Sequence, residues 1–278
     1  MLPGVFCAHK KNGTVYFRAG ITYRNKHISL GSYDDELRAH QAYLEADLIL
    51  RDPSRSLVAY HSKESPLAFD KVVVLFNFRD HGLYIKTPIY LRESFFEYWF
   101  SPALILKFDI DDLFYYSSHK IQKRGGHLFV SDYGSQVSLL SRYGIKAYAI
   151  PGKDFDFANG DDTDFRFSNI VIRNAYYGVE DISTPLSPAY KTRIHIRGNF
   201  VIGEYKDAVT AAIAYNKAVD LAKDAGICKN YSQNYIEALS PRAYADIYSG
   251  IRISERYLSY LDKNVRTTDG ISDTAQVV

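Results

Sequence analysis

Apolar and polar residues alternate with a period of two over VYFRAGITY (15–23) and again over HISLGSY (27–33), with a turn at Arg24-Asn25-Lys26 between them. That spacing predicts a β-hairpin. Far downstream, AYKTRIHIR (189–197) and FVIGEY (200–205) alternate in the same way around Gly198-Asn199. After each hairpin the period changes. Ala39, Tyr43 and Ala46 in the first case, and Ala211, Tyr215 and Ala218 in the second, recur at the three-to-four spacing of a helix face. Small alanines let a helix lie close on a sheet, and the acidic residues near each start, Asp34 and Asp207, suit a helix N-terminus. Between the two patterns, LILKFDI (104–110) and HLFVSDYG (127–134) predict short strands and SLLSRYGI (138–145) a short helix. Beyond the second pattern, Ser240-Pro241 predicts a further helix start, with Tyr244, Tyr248, Tyr257 and Tyr260 spaced for packing.

The two patterns are one repeat. Leu30, Gly31, Tyr33, Asp35, Ala39, Tyr43 and Ala46 reappear in register as Ile202, Gly203, Tyr205, Asp207, Ala211, Tyr215 and Ala218. Phe17, Ile21 and Arg24 match Tyr190, Ile194 and Arg197 at an offset one residue larger, which puts a single-residue length difference in the turn.

Strand alternation then assigns faces. In the second copy Tyr190, Thr192, Ile194 and Ile196 point one way, and Lys191, Arg193, His195 and Arg197 the other. The apolar row must meet the helix, so the basic row is expected on the open face, where it suits phosphates and base edges. In the first copy Phe17, Ala19, Ile21 and Tyr23 face inward, with Arg18, Thr22 and Arg24 outward beside Lys26 and Gly20 interrupting the row.

Overall charge adds nothing to this picture. Thirty-four Lys+Arg against thirty-two Asp+Glu in 278 residues leave +2, so any basic surface is local. With 46% hydrophobic residues the chain is expected to fold. Cys7 and Cys228 form neither a disulfide framework nor a metal-binding spacing, which favours a reducing compartment. No apolar run approaches the roughly 20 residues of a membrane span, and the start lacks the apolar core of a signal peptide. The expectation is a soluble, cytoplasmic protein, associated with the nucleoid if it binds DNA.

The combination G-V, F/Y-x-x-x-I, L/I-G-x-Y and A-x-x-x-Y-x-x-A resembles the Apetala/ethylene-response-factor type of DNA-binding domain, with Gly4-Val5 and Gly178-Val179 opening the two copies. The resemblance covers roughly residues 1–50 and 176–225. It implies three strands packed on one helix and a sheet laid in the major groove, with strand residues reading bases.

Between the copies, Asp156, Asn159, Gly160, Asp161, Asp164, Arg166 and Asn169 resemble the signature of HNH homing endonucleases. Where that family has its general-base histidine stands Phe157, which can neither accept a proton nor bind metal. An upstream histidine of the signature falls on Ser141. Asp156 and Asn169 occupy metal-ligand positions of the family, a vestigial pair of oxygen donors for Mg²⁺. Asn159-Gly160-Asp161 is also ordinary turn chemistry. His119 and His127 lie too far upstream to be read as replacement bases.

Together these readings give an α+β chain: two small three-stranded-sheet-plus-helix DNA-binding domains (1–52 and 175–263, the latter with a helical extension) flanking a degenerate HNH, ββα-metal-like domain (69–174). A linker (53–68) and a disordered tail (264–278) complete the expectation. The function implied is sequence-specific binding of double-stranded DNA, as a transcriptional regulator derived from a homing endonuclease that lost catalysis. The expected DNA contacts are Arg18, Thr22, Arg24, Lys26, Lys191, Arg193, His195 and Arg197. No membrane partner is expected, and oligomeric state is left open. An active Mg²⁺-dependent endonuclease or nickase is the alternative, and a protein-interaction module with solvating charge a third.

Overall fold

The period-two segments form the strands they specify. In the computed structural model, which describes residues 1–60, 65–146, 149–227 and 229–272 (side chains as far as 263), β1 (Val5–His9), β2 (Val15–Tyr23) and β3 (Lys26–Tyr33) make an antiparallel sheet in that order. Tyr23 pairs with Lys26, and Arg24 and Asn25 between them both have positive φ, 45° and 62°. That is the two-residue turn whose twist matches antiparallel strands. The sheet packs on α1 (Glu36–Arg51), whose N-cap Asp35 accepts a hydrogen bond from the Arg38 amide at 2.9 Å. Ala39, Ala42 and Ala46 are fully buried at the contact.

The chain divides into two compact units, residues 1–143 with 157–170, and residues 144–156 with 171–278. In the first, α2 (Phe69–His81) buries every residue from Val72 to Phe78. A helix buried all round has no apolar stripe, so residues 72–78 show no helical period. Buried Asn77 donates to the Leu83 carbonyl and accepts from the Leu91 amide. β4 (Ile89–Leu91), β5 (Phe95–Ser101) and β6 (Leu104–Asp109) form a second antiparallel sheet. α3 (Leu113–Ser118) then leads to a third, β7 (Ile121–Arg124), β8 (His127–Asp132) and β9 (Ser135–Ser138). A 3-10 turn over Leu139–Tyr143 takes the place of the expected short helix.

The expected linker at 53–68 is a packed connection over the part that is described; residues 61–64 lie outside the described residues. Leu57 and Leu67 are buried in one core with Val5, Ile28, Ile49, Phe76 and Trp99. The Arg79 guanidinium donates to the carbonyls of Ile49, Asp52 and Arg55 at 2.9–3.0 Å. The first repeat copy therefore shares its core with α2 instead of standing apart as 1–52.

Of the three boundaries between units, one follows the 3-10 turn at Tyr143 and the other two fall inside short strands, β10 (Phe155–Phe157) and β11 (Ile170–Ile172). In the second unit β12 (Val179–Asp181), β13 (Tyr190–His195) and β14 (Asn199–Tyr205) repeat the first sheet on α4 (Ala208–Asp224), and Asp207 caps α4 through the Thr210 amide at 2.7 Å. α5 (Pro241–Gly250) starts at Ser240, which caps the Ala243 amide. Tyr257 is fully buried, donating to the Ala218 carbonyl at 2.7 Å, and Tyr244, Tyr248 and Tyr260 pack around the same core. α6 (Glu255–Ser272) continues through residues 264–272, where composition suggested a tail; residues 273–278 and Cys228 lie outside the described residues. The protein is thus a mixed α+β chain with several small three-stranded antiparallel sheets and helices.

Candidate nucleic-acid interface

The two copies agree below the level of strands and helices. In each, the central pair of strands carries a bulge at the matching place: β3 spends Leu30 between Gly31 and Ser29, and β14 spends Ile202 between Gly203 and Val201. Both extra residues are buried. A Cβ on Gly31 would lie 3.1 Å from the Tyr33 hydroxyl, and one on Gly203 2.5 Å from that of Tyr205. This explains the L/I-G-x-Y motif, because the tyrosine folds back over the glycine. Gly4 and Gly178, both at positive φ, would place a Cβ 2.1 Å from the rings of Tyr43 and Tyr215. The shared motif residues therefore specify the fold of each copy, and the open faces of the two sheets are free to differ.

They do differ. The first sheet lies within residues 1–33, which contain Lys10, Lys11, Arg18, Arg24 and Lys26 and no Asp or Glu. On its open face Phe6 sits opposite Arg18, Ala8 opposite Tyr16, and Thr22 opposite His27. Arg18 is exposed and donates from Nη2 to the Tyr16 hydroxyl at 2.6 Å, with its guanidinium 5.4 Å from that ring. Phe6 is 54% exposed. The His27 ring covers Gly20, where a Cβ would come within 2.9 Å of it, so the gap in the basic row holds an imidazole. Arg24 and Lys26 lie at the end of the hairpin, correcting their expected place in the row. Arg24 reaches the Phe78 carbonyl at 3.4 Å, and the Lys26 ammonium stands 5.2 Å from the Tyr84 ring.

In the second sheet the expected faces form: Thr192, Ile194 and Ile196 are buried and His195 and Arg197 exposed. Its fixed cations, however, are not a free row. Cross-strand register puts Lys191 between Glu180 and Glu204. Lys191 pairs with Glu204 at 3.0 Å, while Glu180 holds Arg193 at 3.2 Å and Lys153 at 3.3 Å. The Arg193–Glu180 contact leaves Arg193 Nε and Glu180 Oε2 buried without hydrogen bonds. His195 Nδ1 lies 2.9 Å from Asn199 Oδ1. Arg197, at φ 51° in the turn, makes no ion pair among the described residues. Reading β13 alone could not reveal the masking carboxylates, because they stand on the neighbouring strands.

In the segment that resembles the HNH signature, Asp156, Asn159, Asp161, Asp164, Arg166 and Asn169 are tied into ion pairs and hydrogen bonds within the chain. Asp164 is fully buried and receives Arg166 through both oxygens at 2.8 and 2.6 Å, with the Asn159 amide at 3.0 Å. Burial alone would raise its carboxyl, but the guanidinium and amide outweigh that and hold it below its usual value. Asp161 accepts from Lys107 at 2.8 Å and from the Thr163 hydroxyl and amide, and these bonds lower it to about 2. The Asn169 side chain accepts from the Asn159 amide at 2.8 Å and donates to the Asp164 carbonyl at 2.9 Å. Phe157 packs edge-on to Phe165 at 5.7 Å, and Ser141 is exposed in the 3-10 turn.

Asp156 and Asn169, the metal-ligand positions that the resemblance implies, do not fit a Mg²⁺ site. Asn169 spends its oxygen on a backbone amide, and Asp156, in the second unit, is ion-paired with Arg173. Among the described residues no three His, Cys, Asp or Glu side chains are grouped to hold a metal ion. β11 runs on through 173–178 into β12 without the helix that a ββα-metal unit would supply there. His119 stacks on Tyr115 at 4.3 Å and lies 3.6 Å from Asp132, and His127 is exposed.

Comparison with protein-family models, with curated proteins and with solved structures returns no match. Among the described residues no helix is long and apolar enough to cross a membrane.

Proposed function

We propose that this protein binds double-stranded DNA sequence-specifically through the open faces of its two repeated sheets, as a transcriptional regulator whose architecture derives from a homing endonuclease that has lost catalysis. The observation that carries the reading is the first sheet. It is an acid-free strand surface presenting Arg18, Tyr16, Phe6, Thr22 and His27, with Lys10, Lys11, Arg24 and Lys26 at its ends. Cations meet phosphates, and hydroxyl, imidazole and guanidinium groups meet base edges, when a sheet enters the major groove. The second copy supplies a similar fold with its charge offset by Glu180 and Glu204. Two joined readers gain affinity through effective concentration when their DNA segments match their separation.

Binding without cleavage is the reading favoured for the middle of the chain. Phe157 contributes ring packing where a base would stand, and the Asp161 and Asp164 carboxylates are committed to hydrogen bonds from Lys107, Thr163, Arg166 and Asn159. The proposed role therefore places the central region as scaffold.

The test is a salt titration of binding to a mixed-sequence duplex by fluorescence anisotropy, for the native chain and for Arg18→Ala/Arg24→Ala/Lys26→Ala. Each lost phosphate contact is expected to reduce the log–log salt slope by about 0.9. A native chain that binds no duplex at low salt, or a triple variant with unchanged affinity and slope, refutes the proposal.

A further inference from the structure

The outer face of α1 carries a stripe that the packing of the first unit leaves bare. Leu37, Leu44 and Leu48 are 63%, 47% and 45% exposed. With Gln41 between the first two, they recur at alternating spacings of four and three, the seam of a two-helix coiled coil. The inward face of the same helix is already complete with Ala39, Ala42, Ala46 and Ile49, all fully buried.

The second copy indicates that such a face is meant to be covered. The repeat aligns Gln41, Leu44 and Leu48 with Ile213, Asn216 and Asp220 of α4. There Ile213 and Asn216 are buried. Asn216 donates to the Asn234 carbonyl at 2.9 Å and the Tyr244 hydroxyl at 3.1 Å, and Asp220 accepts from Tyr248 at 3.0 Å and Gln233 at 2.6 Å. A later segment and α5 thus close that face within the chain. In the first copy the chain leaves α1 for α2 and covers the other side, so leucines stand where the second copy has Asn216 and Asp220.

We infer that α1 is a dimerisation helix, and that its occupant is α1 of a second copy of this chain, antiparallel about a two-fold axis. The charges flanking the stripe select that arrangement. An antiparallel pair centred between Ala42 and Tyr43 sets Leu37 against Leu48 of the second copy and Gln41 against its Leu44. The same axis brings like edges of the helix together, so Arg38 meets Glu45 of the second copy on one edge, and His40 meets its Asp47 on the other. Both meetings join a basic to an acidic group, and the contact is isologous, as two-fold symmetry requires. Arg38 has no ion-pair partner within its own chain among the described residues, while Glu45 meets both the Tyr60 hydroxyl at 2.9 Å and Arg55 at 3.7 Å through Oε1, leaving Oε2 for a second donor, and Asp47 is held by Arg51 at 2.6 Å through Oδ1 alone. A parallel pair would instead confront opposite edges, joining His40 to Glu45 of the second copy but leaving Arg38 without an acidic partner and setting Asp47 toward Asp52. One helix pair is a small contact, so the dimer is weak and concentration-dependent. This inference does not rest on DNA binding.

Sedimentation equilibrium of the full chain across a concentration series tests it, with circular dichroism confirming that each variant is folded. The native chain is expected to pass from monomer to dimer as concentration rises. Leu37→Ser/Leu44→Ser/Leu48→Ser is expected to stay monomeric. Arg38→Glu is expected to weaken the dimer at least several-fold, and Arg38→Glu/Glu45→Arg to restore it. A native chain that is monomeric throughout overturns the inference, as does a dimer indifferent to the serine substitutions. A dimer lost with the leucines but unmoved by the charge reversal and its rescue overturns the antiparallel arrangement.

Discussion

Glu180 and Glu204 set the charge of the second sheet, so converting both to glutamine is the most informative perturbation of the proposed interface. Glutamine keeps the shape and one carbonyl acceptor but removes the charge that holds Lys153, Arg193 and Lys191. The pairs are partly exposed, and each such pair contributes only about 0.2–1 kcal/mol to stability, so the fold is expected to survive. The effect on binding is larger. Three cations become free to meet phosphates, and at roughly 0.9 per phosphate met the log–log salt slope steepens by up to about 3 units. Anisotropy titrations of Glu180→Gln/Glu204→Gln against the native chain, on one duplex at several salt concentrations, read both affinity and slope. The expected result is tighter binding at low salt with a steeper slope. Unchanged affinity and slope would refute the idea that these carboxylates mask a DNA-facing surface. Weaker binding confined to certain sequences would instead assign them to base readout, since a carboxylate accepts from the cytosine amino group.

The other expectations concern the fold and the loop. Gly4→Ala forces a left-handed residue, at about 1–2 kcal/mol, and drives a Cβ into the Tyr43 ring, at about 1–3 kcal/mol more. Gly13→Ala, at φ 83° with nothing within 4 Å, costs the backbone term alone; equal urea midpoints for the two variants would refute the packing of Tyr43 on Gly4. Lys107 and Thr163 hold the Asp161 carboxyl at about 2, below its ordinary 3.8. A depressed folded value contributes stability that is present above pH 3.8 and lost as pH falls through about 2. Asp161→Asn should therefore lower the urea midpoint at pH 7, with the gap from the native chain closing toward pH 2; a gap independent of pH would show that the carboxylate charge is not what the loop uses.

What was legible in the sequence follows from periodicity. The hairpins, α1 and α4 could be read because each has one face in a core and one in water, so Ile21, Ile28, Ile194 and Ile202 mark their own strands. α2 could not, because residues 72–78 are buried on every side and leave no stripe. The polar composition of 53–68 concealed Leu57 and Leu67, two apolar residues that draw the segment into the core. The basic residues of β13 share the face that its alternation specifies, but Glu180 and Glu204 reach that face only through cross-strand register. Likewise the inward spacing of Ala39, Tyr43 and Ala46 was read, while the leucines opposite them acquire meaning only once the rest of the unit leaves them exposed. The Asp156–Asn169 segment resembled a catalytic signature, and its residues are drawn instead into ion pairs and loop hydrogen bonds, a distinction that residue types and spacing cannot make.

Selection of bound duplexes from a random-sequence pool tests the central claim most directly, with the recovered DNA also run on a denaturing gel after incubation with Mg²⁺. The account predicts enrichment of an intact motif longer than a single sheet could cover. Failure to enrich any sequence would contradict DNA recognition, and an enriched motif recovered nicked or cut would contradict the loss of catalysis.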